Sequence, residues 1–352
     1  MVVSPANIGR AEICLPCETL APCLDFFVKR LGFRIETIFP ADAPRVASLS
    51  GHGLNLRLAP GGGDPGVIRL VTSDLSDRPT TAPNGTRLEW VEADAGKDRV
   101  VFEPAFMVTR RKDGPLAGQG RAGMSYRDLI PGRLGGSIIA SHISIPDGGP
   151  VADWVHFHKI RFQMIFCRRG WVRVVYEDQG DPFVMQAGDL VLQPPCIRHR
   201  VLESSAGLEV VEIGCPALHE TLADHGLDLP TGRHEPQRDF SGQTFLRHIA
   251  DQTPWNDLGG GRRLRDMGLD LATRGLAQAA VLSGGGNWQI ATEVDALVFG
   301  FVLQGEAVLE HLGGHPLGPD DAFVIPPGGA WSLCDAVKDF SWLRVKVGVA
   351  VL

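Results

Sequence analysis

Apolar residues near the amino terminus recur at helical spacing, between segments that read as strands. In residues 19–31 one helical face carries Leu20, Leu24, Phe27 and Leu31, and Gly32 follows where a helix commonly ends. Strand-like segments surround this helix at 11–15, 34–39, 45–50 and 54–58. The order predicts a small βαβββ module within residues 1–80.

A different pattern begins in the middle of the chain, where the stretch 151–166 has the apolar, β-favouring composition of a strand. His156 and His158 lie within it at positions i and i+2, so both side chains project from one face. A third histidine, His199, follows the later turn Pro194-Pro195-Cys196. Three imidazoles from two strands suit Fe, Ni, Cu, Mn or Zn, so the spacing predicts a metal site.

The second half of the chain repeats the first without these histidines. Arg127-Asp128-Leu129 matches Arg265-Asp266-Met267, Gly136 matches Gly275, Gly170 matches Gly305, and Pro194-Pro195 matches Pro326-Pro327. We therefore expect two related modules, 119–235 and 236–352. Residues 81–118 read as a connector with strand-like pieces at 88–91 and 100–102, which lends edge strands to the module that follows.

Composition narrows the class of protein. A chain of 352 residues with 43 glycines and 25 prolines reads as turn-rich, mainly β and divided into two or three domains. The net charge of −7 gives no electrostatic footprint for nucleic acid, and no apolar run reaches the length of a membrane helix. Seven scattered cysteines and no recognisable export signal predict a reduced, cytoplasmic protein without nucleic-acid or membrane partners.

The segments around the histidines resemble the two sequence motifs of the cupin superfamily, one built on HxH and the other ending in PxGxxH. The resemblance implies a bicupin: two tandem double-stranded β-helix, or jelly-roll, barrels behind the βαβββ module. Gln163 stands where the family usually has a ligating Glu, and Cys196 stands where it has the turn glycine. This chain is therefore similar to the three-histidine variant, with His156, His158 and His199 as ligands and Gln163 as a weak ligand or hydrogen-bonding neighbour. Fe2+ is the favoured metal, with Mn, Ni or Zn as alternatives.

The ligand positions of the second module read Ala291, Glu293, Val298 and Trp331. Two apolar side chains and an indole do not bind metal, so residues 236–352 are expected to form a degenerate cupin barrel without a metal.

The run Phe26 to Phe33 resembles the helix-to-strand corner of the glyoxalase, or vicinal-oxygen-chelate, family over one half-module of about 65 residues. That resemblance implies a metal held by the first and last strands. Glu12 occupies the first position, but no acidic residue stands near the second, around Ala59. A structural or dimerisation role is favoured instead, and we expect a homodimer because half-modules and bicupins leave sheet surface to cover.

Two further residues are candidates for catalysis. His142 lies on the strand-like run 138–145 and would reach substrate or a metal-bound water if its face pointed into the barrel. A buried histidine satisfied by its neighbours is the simpler interpretation. Arg198, beside His199, is a candidate clamp for a substrate carboxylate, as are Arg161 and Arg173; solvated positions outside the barrel are the alternative.

The resemblance supports three hypotheses of function. The first is a non-haem Fe(II) dioxygenase that cleaves a small oxygenated compound, aromatic or diketone-like and anionic, with dioxygen as co-substrate. The second is an isomerase or decarboxylase with Mn or Zn, which would need an acid or base in the cavity. The third is a metal-bearing cupin that binds a small molecule without converting it.

Overall fold

The computed structural model describes residues 9–76, 78–93, 100–113, 117–119 and 123–352. The chain separates into two compact units, 1–99 and 100–352. The division falls within the segment 81–118 that the sequence marks as a connector. No helix in the described ranges is long and apolar enough to cross a membrane.

The first unit contains a four-stranded sheet and one helical segment. The sheet order is β1-β4-β3-β2, with β1 parallel to β4 and the other pairs antiparallel. A parallel pair, β5 and β6, completes the unit. The bounds are β1 Ile13–Pro16, β2 Arg34–Phe39, β3 Val46–Gly51, β4 Leu54–Ala59, β5 Val67–Thr72 and β6 Arg87–Glu92.

The helix of the first unit covers the apolar side of this sheet. It is α-helical over Leu20–Asp25 (α1) and π-helical over Phe26–Arg30. The Leu31 N–H donates to the Phe26 carbonyl at 3.2 Å, a five-residue step that widens the last turn. Gly32 ends the segment at a φ of 76°. The segment predicted at 19–31 is thus helical, but its second half is wider than an α-helix.

The second unit is mainly β, and its first half is a pair of facing sheets, here called the first sandwich. One sheet has the order β22-β16-β13-β18-β10-β9-β8, and the other has β15-β14-β17-β12-β19 with β11 beside β17. The bounds are β8 Ala117–Gln119, β9 Ser125–Asp128, β10 Ile139–Ile145, β11 Gly149–Pro150, β12 His156–His158, β13 Phe162–Arg169, β14 Trp171–Tyr176, β15 Phe183–Gln186, β16 Leu190–Leu192, β17 His199–Ser204, β18 Leu208–Cys215, β19 Thr221–Ala223 and β22 Leu246–His248.

The second half repeats this plan as the second sandwich. Its large sheet has the order β23-β24-β25-β32-β27-β30-β7, and its small sheet has β26-β31-β28-β29. The bounds are β7 Met107–Thr109, β23 Asn256–Gly259, β24 Arg262–Asp266, β25 Ala277–Ser283, β26 Gly286–Gln289, β27 Ala296–Gln304, β28 Ala307–Glu310, β29 Gly314–Leu317, β30 Ala322–Ile325, β31 Ser332–Ala336 and β32 Ser341–Gly348. The hairpin β20 Asp239–Phe240 with β21 Gln243–Thr244 lies between the halves, and short helical turns occur at Arg111–Asp113, Arg133–Gly136 (α2), Ala250–Gln252 and Leu269–Ala272 (α3).

The two sandwiches exchange edge strands. Strand β7, which precedes the first sandwich in the chain, pairs with β30 of the second. Strand β22, which follows the first sandwich, pairs with β16 of the first. The predicted strand piece at 88–91 lies within β6, whereas the piece predicted at 100–102 forms no strand.

Alternation along the strands divides the apolar residues of this unit into three layers. On β13, Phe162, Met164 and Phe166 face the other large sheet, and Cys167 faces the interior of the first sandwich. On β27, the alternate residues Leu297 and Phe299 likewise face the layer between the two large sheets, which both sandwiches share. The interior of the second sandwich is filled by aromatic and aliphatic side chains, including Phe323, Phe340, Trp331 and Trp342. The interior of the first holds the cavity described next.

Candidate metal centre

The three predicted histidines meet at one end of the first sandwich. His156 and His158 lie on β12, and His199 begins β17, where it stands directly opposite His156 in the antiparallel register. Their possible ligand nitrogens all lie within 4.8 Å of one another. His156 and His199 are buried, and His158 is half-buried. The short strand β12 thus supplies two imidazoles from one face, and its neighbour supplies the third.

Hydrogen bonds fix the orientation of the three rings. The Nδ1 atom of His156 lies 2.8 Å from the Trp154 carbonyl, and that of His199 lies 3.1 Å from the Ile197 carbonyl. Because a carbonyl only accepts, these Nδ1 atoms must carry the proton, so the lone pair of each ring is on Nε2. His158 Nδ1 lies 2.8 Å from the Thr221 hydroxyl. Three imidazoles whose rings are oriented by hydrogen bonds at Nδ1 fit a divalent first-row transition metal.

Gln163 faces the same cavity from β13. Its side-chain N–H donates to a carboxylate oxygen of Glu212, on β18, at 2.5 Å. Glu212 lines the cavity as well, so the site contains a carboxylate that the sequence analysis did not identify. The available signal was an acidic residue within the apolar strand Leu208–Cys215, in phase with Leu208 and Val210.

The cavity has a volume of about 510 Å3, and most of its wall is apolar. Ile143, Val172, Val174, Met185 and Val210 come from both sheets of the first sandwich and belong to its buried core. The polar lining residues besides the triad are Ser141, Gln163, Tyr176, Gln193, Glu212, His219 and Thr221. A ligand would therefore meet a small number of polar groups and hydrocarbon over most of its surface.

Tyr176 and Gln193 form a buried polar pair beside His199. The Gln193 side-chain N–H donates to the Tyr176 phenol oxygen at 3.0 Å. The Tyr176 ring is stacked with His199, with centroids 5.5 Å apart and planes at 24°. Burial raises the pKa of the Tyr176 phenol, although the hydrogen bond from Gln193 opposes the shift. The phenol therefore stays protonated at neutral pH.

A fourth histidine lies at the edge of the triad. The ring centroid of His219 is 5.4 Å from that of His158, and its Nδ1 is 3.0 Å from the Pro216 carbonyl. The same tautomer argument leaves its Nε2 as an acceptor. His219 follows β18 in a loop, so no strand spacing relates it to the other three.

The turn before His199 is tied to the triad. The Cys196 N–H donates to the His158 carbonyl at 3.1 Å, and Cys196 has a φ of 62°. This is the position where the resembled motif has glycine, and a left-handed backbone there explains the preference. Cys196 occupies it at the cost of strain.

The other predicted catalytic residues are not brought to the triad. His142 points to the opposite face of β10, where its ring packs on Phe301 and its two nitrogens lie 3.2 Å from Arg127 and Glu209. Burial, and then the charge of Arg127, lowers the pKa of His142.

Arg198 alternates with His199 and likewise faces away. It pairs with Asp224 at 3.1 Å and lies over the Phe157 ring, 4.3 Å from its centroid. Arg161 donates to the Leu352 carbonyl, and Arg173 pairs with Glu203 at the surface. None of these three arginines is among the described residues that line the cavity.

The second sandwich has other chemistry at the corresponding positions. Ala291 is exposed, Val298 and Trp331 are packed in the aromatic interior, and Glu293 forms an ion pair with Lys346. Within the described residues, the three-histidine group of the first sandwich is the one cluster suited to a metal.

Comparison with solved structures places this architecture among known folds. Salicylate 1,2-dioxygenase from Pseudaminobacter salicylatoxidans superimposes with a TM-score of 0.52 at 20% identity, over 70% of this chain and 85% of that one. A point mutant of oxalate decarboxylase from Bacillus subtilis gives 0.52 at 11% identity, over 69% and 79%. The protein Ylba from E. coli gives 0.50 at 12%, over 71% and 94%. These neighbours are cupin-type proteins, and at such identities the likeness shows a shared fold.

No protein-family model matches the sequence, and no curated protein matches it. The fold and the histidine group therefore define the chain as a mainly β protein with cupin-type neighbours and a candidate site for a divalent metal.

Proposed function

We propose that this chain is a metal-dependent cupin enzyme, and that it is a non-haem Fe(II) dioxygenase acting on a small oxygenated compound. The observation that carries the proposal is the convergence of three imidazoles on the wall of a largely apolar cavity. In this proposal the first sandwich is the working cupin barrel, the second is a degenerate barrel, and residues 1–80 are a glyoxalase-like half-module that supports a homodimer.

The metal would supply Lewis acidity and a one-electron path between an oxygenated substrate and dioxygen. His156, His158 and His199 would hold it, with Gln163 beside them. The chain's own contribution is then to orient the ligating imidazoles and to exclude water from the substrate. The Trp154 and Ile197 carbonyls keep two imidazoles in the ligating tautomer, and the aliphatic wall removes water from the substrate.

When dioxygen cleaves a carbon–carbon bond of a ring or a diketone, both of its oxygen atoms are transferred to carbon. The substrate supplies the four electrons that reduce dioxygen. No external reductant is needed. Salicylate 1,2-dioxygenase among the structural neighbours supports this reading of the fold.

Glu212 favours one alternative, a Mn- or Zn-dependent decarboxylase or isomerase. Such chemistry needs a general acid or base, and Glu212 places a carboxylate in the cavity although the motif position holds Gln163. Oxalate decarboxylases among the neighbours support the same alternative. A site that binds a small molecule without converting it is the third outcome that the test must separate.

The first experiment is elemental analysis of protein purified without a histidine tag, beside the variants His158→Ala and His142→Ala. We expect about one iron per chain in wild type and in His142→Ala, because His142 faces away from the triad, and none in His158→Ala. Oxygen uptake with catechols, dihydroxybenzoates or β-diketones should occur in the two samples that contain iron and be absent from His158→Ala.

Uptake by metal-free His158→Ala would contradict the proposal. Zinc or manganese together with turnover under strict anaerobiosis would favour the decarboxylase or isomerase. Retained metal and tight ligand binding without product would favour the binding protein.

A further inference from the structure

The pair Tyr176 and Gln193 has hydrogen-bonding capacity that the protein leaves unused. Gln193 is 2% exposed, and its side-chain oxygen accepts no hydrogen bond. The Tyr176 oxygen accepts from Gln193, and no acceptor for the phenol proton occurs among the described residues. A buried polar atom without a partner is costly, and both residues line the cavity, so the two groups are candidate contacts for a ligand.

The two unused groups differ in kind, whichever way the Gln193 amide is turned. With the amide N–H donating to the phenol, the pair offers the Tyr176 O–H as donor and the Gln193 carbonyl as acceptor. With the amide reversed, the phenol donates to the carbonyl, and the pair offers an amide N–H as donor and the phenol lone pair as acceptor. At least one donor and one acceptor therefore remain side by side in either arrangement.

This combination selects among ligand groups. A hydroxyl donates and accepts at one oxygen, so it satisfies both. A carboxylate, a ketone or an ether only accepts, and would leave the pair's acceptor unsatisfied. The pair also lies at a defined place, because the Tyr176 ring is stacked on His199, one of the three candidate ligands.

We propose that Tyr176 and Gln193 form a hydroxyl-recognition subsite, and that the substrate carries a protonated hydroxyl group in addition to the oxygens that face the metal. The inference rests on the proposed function only in placing the substrate in this cavity. It narrows the substrate class to hydroxylated compounds with an apolar body, because the remaining wall is aliphatic. Tyr176 and Gln193 are assigned a role in specificity, without a part in bond cleavage.

The test uses the full chain loaded with Zn2+, which has no redox chemistry, so that binding is measured without turnover. The probes are kojic acid and allomaltol, uncharged pyranones with the same hydroxy-ketone chelating end. They differ in one group, which is a hydroxymethyl in kojic acid and a methyl in allomaltol. Isothermal titration calorimetry gives the affinity ratio between the two for wild type, Tyr176→Phe and Gln193→Met.

We expect kojic acid to bind wild type at least about tenfold more tightly than allomaltol, and the ratio to approach one in both variants, with allomaltol affinity little changed. Tyr126→Phe is the matched control, because Tyr126 is the other tyrosine of the chain and also lines the cavity. It should keep the wild-type ratio. Thermal unfolding confirms that each variant is folded.

A wild-type ratio near one would overturn the proposal. The absence of detectable binding by either probe would overturn it too. A ratio that survives both substitutions, or that is lost only in Tyr126→Phe, would overturn it as well. Failure of the proposed function looks different: iron-loaded protein would consume no oxygen, while the zinc form would still prefer the hydroxylated probe.

Discussion

The side chains of Gln163 and Glu212 face each other across neighbouring strands, joined by a 2.5 Å hydrogen bond in which the amide donates to the carboxylate. Cupin motifs of the kind this chain resembles place a glutamate where Gln163 stands. A glutamate here would bring two carboxylates together, and two such groups do not both ionise readily. The neutral amide is therefore matched to Glu212 on the adjacent strand.

Gln163→Glu is accordingly expected to make stability fall with rising pH. Repulsion from Glu212 raises the pKa of a carboxyl in the folded state above its ordinary value of about 4.3. The stability present below that value is then lost as the pH rises through the folded pKa. Thermal midpoints of metal-free protein between pH 4 and 8 would show this loss relative to wild type. Gln163→Met removes the amide without adding charge and serves as the control; an equal pH dependence in both variants would exclude the repulsion.

Cys196→Gly should stabilise the protein. The residue has a left-handed backbone, which costs a non-glycine residue about 1–2 kcal/mol, while glycine loses about 0.5–1 kcal/mol through the entropy of the unfolded chain. The expected net gain is about 0.5–1 kcal/mol in the free energy of unfolding, measured by denaturant titration. Cys196→Ala removes the thiol but keeps Cβ, so it should show no gain. Equal gains in the two variants would assign the effect to the thiol.

Gly300→Ala should destabilise the second sandwich. A Cβ at Gly300 would lie 2.2 Å from the Phe323 ring, which is fully buried. The ring cannot move away within the aromatic interior, so we expect a loss of about 1–3 kcal/mol. Gly318→Ala, where a Cβ meets nothing within 4 Å, is the control. An unchanged unfolding midpoint for Gly300→Ala would mean that this interior is loosely packed.

His142 is expected to make the protein sensitive to acid. Its folded pKa is lowered by burial and by Arg127, so its contribution to stability is complete above the ordinary histidine pKa of about 6.5 and declines as the pH falls below it. Glu209 and Asp320 face the same cluster and oppose the shift. In metal-free protein, His142→Gln should reduce the drop in thermal midpoint between pH 7 and pH 5. The exposed His225, changed to Gln, should leave the drop unaltered.

Features that depend on residues close together in the chain were predictable from the sequence. His156 and His158 are two residues apart on one strand, and the turn that carries His199 has its own proline signature. The helix at 19–31 and the strands around it are likewise recognisable from local periodicity, apart from the π-helical turn.

Residues brought together by register were not predictable in the same way. Glu212 lies 49 positions from Gln163, and Gln193 lies 17 positions from Tyr176. Their meeting depends on which strands are neighbours, which no local pattern specifies. The direction in which His142 and Arg198 point was hard to predict for the same reason. Each is next to at least one cavity-lining residue on its strand or turn, and only the folded sheet shows which side is interior.

The edge-strand exchange affects how the second unit folds. Among the described residues, neither half completes its own large sheet: β7, which precedes the first sandwich in the chain, pairs with β30 of the second, and β22, which follows the first sandwich, pairs with β16 of the first. The large sheets also share one apolar layer. Residues 119–235 expressed alone would therefore lack both an edge and a covering surface. We therefore expect the two halves to fold as a single cooperative unit, and a chain cut between them to regain structure only when the two fragments are mixed.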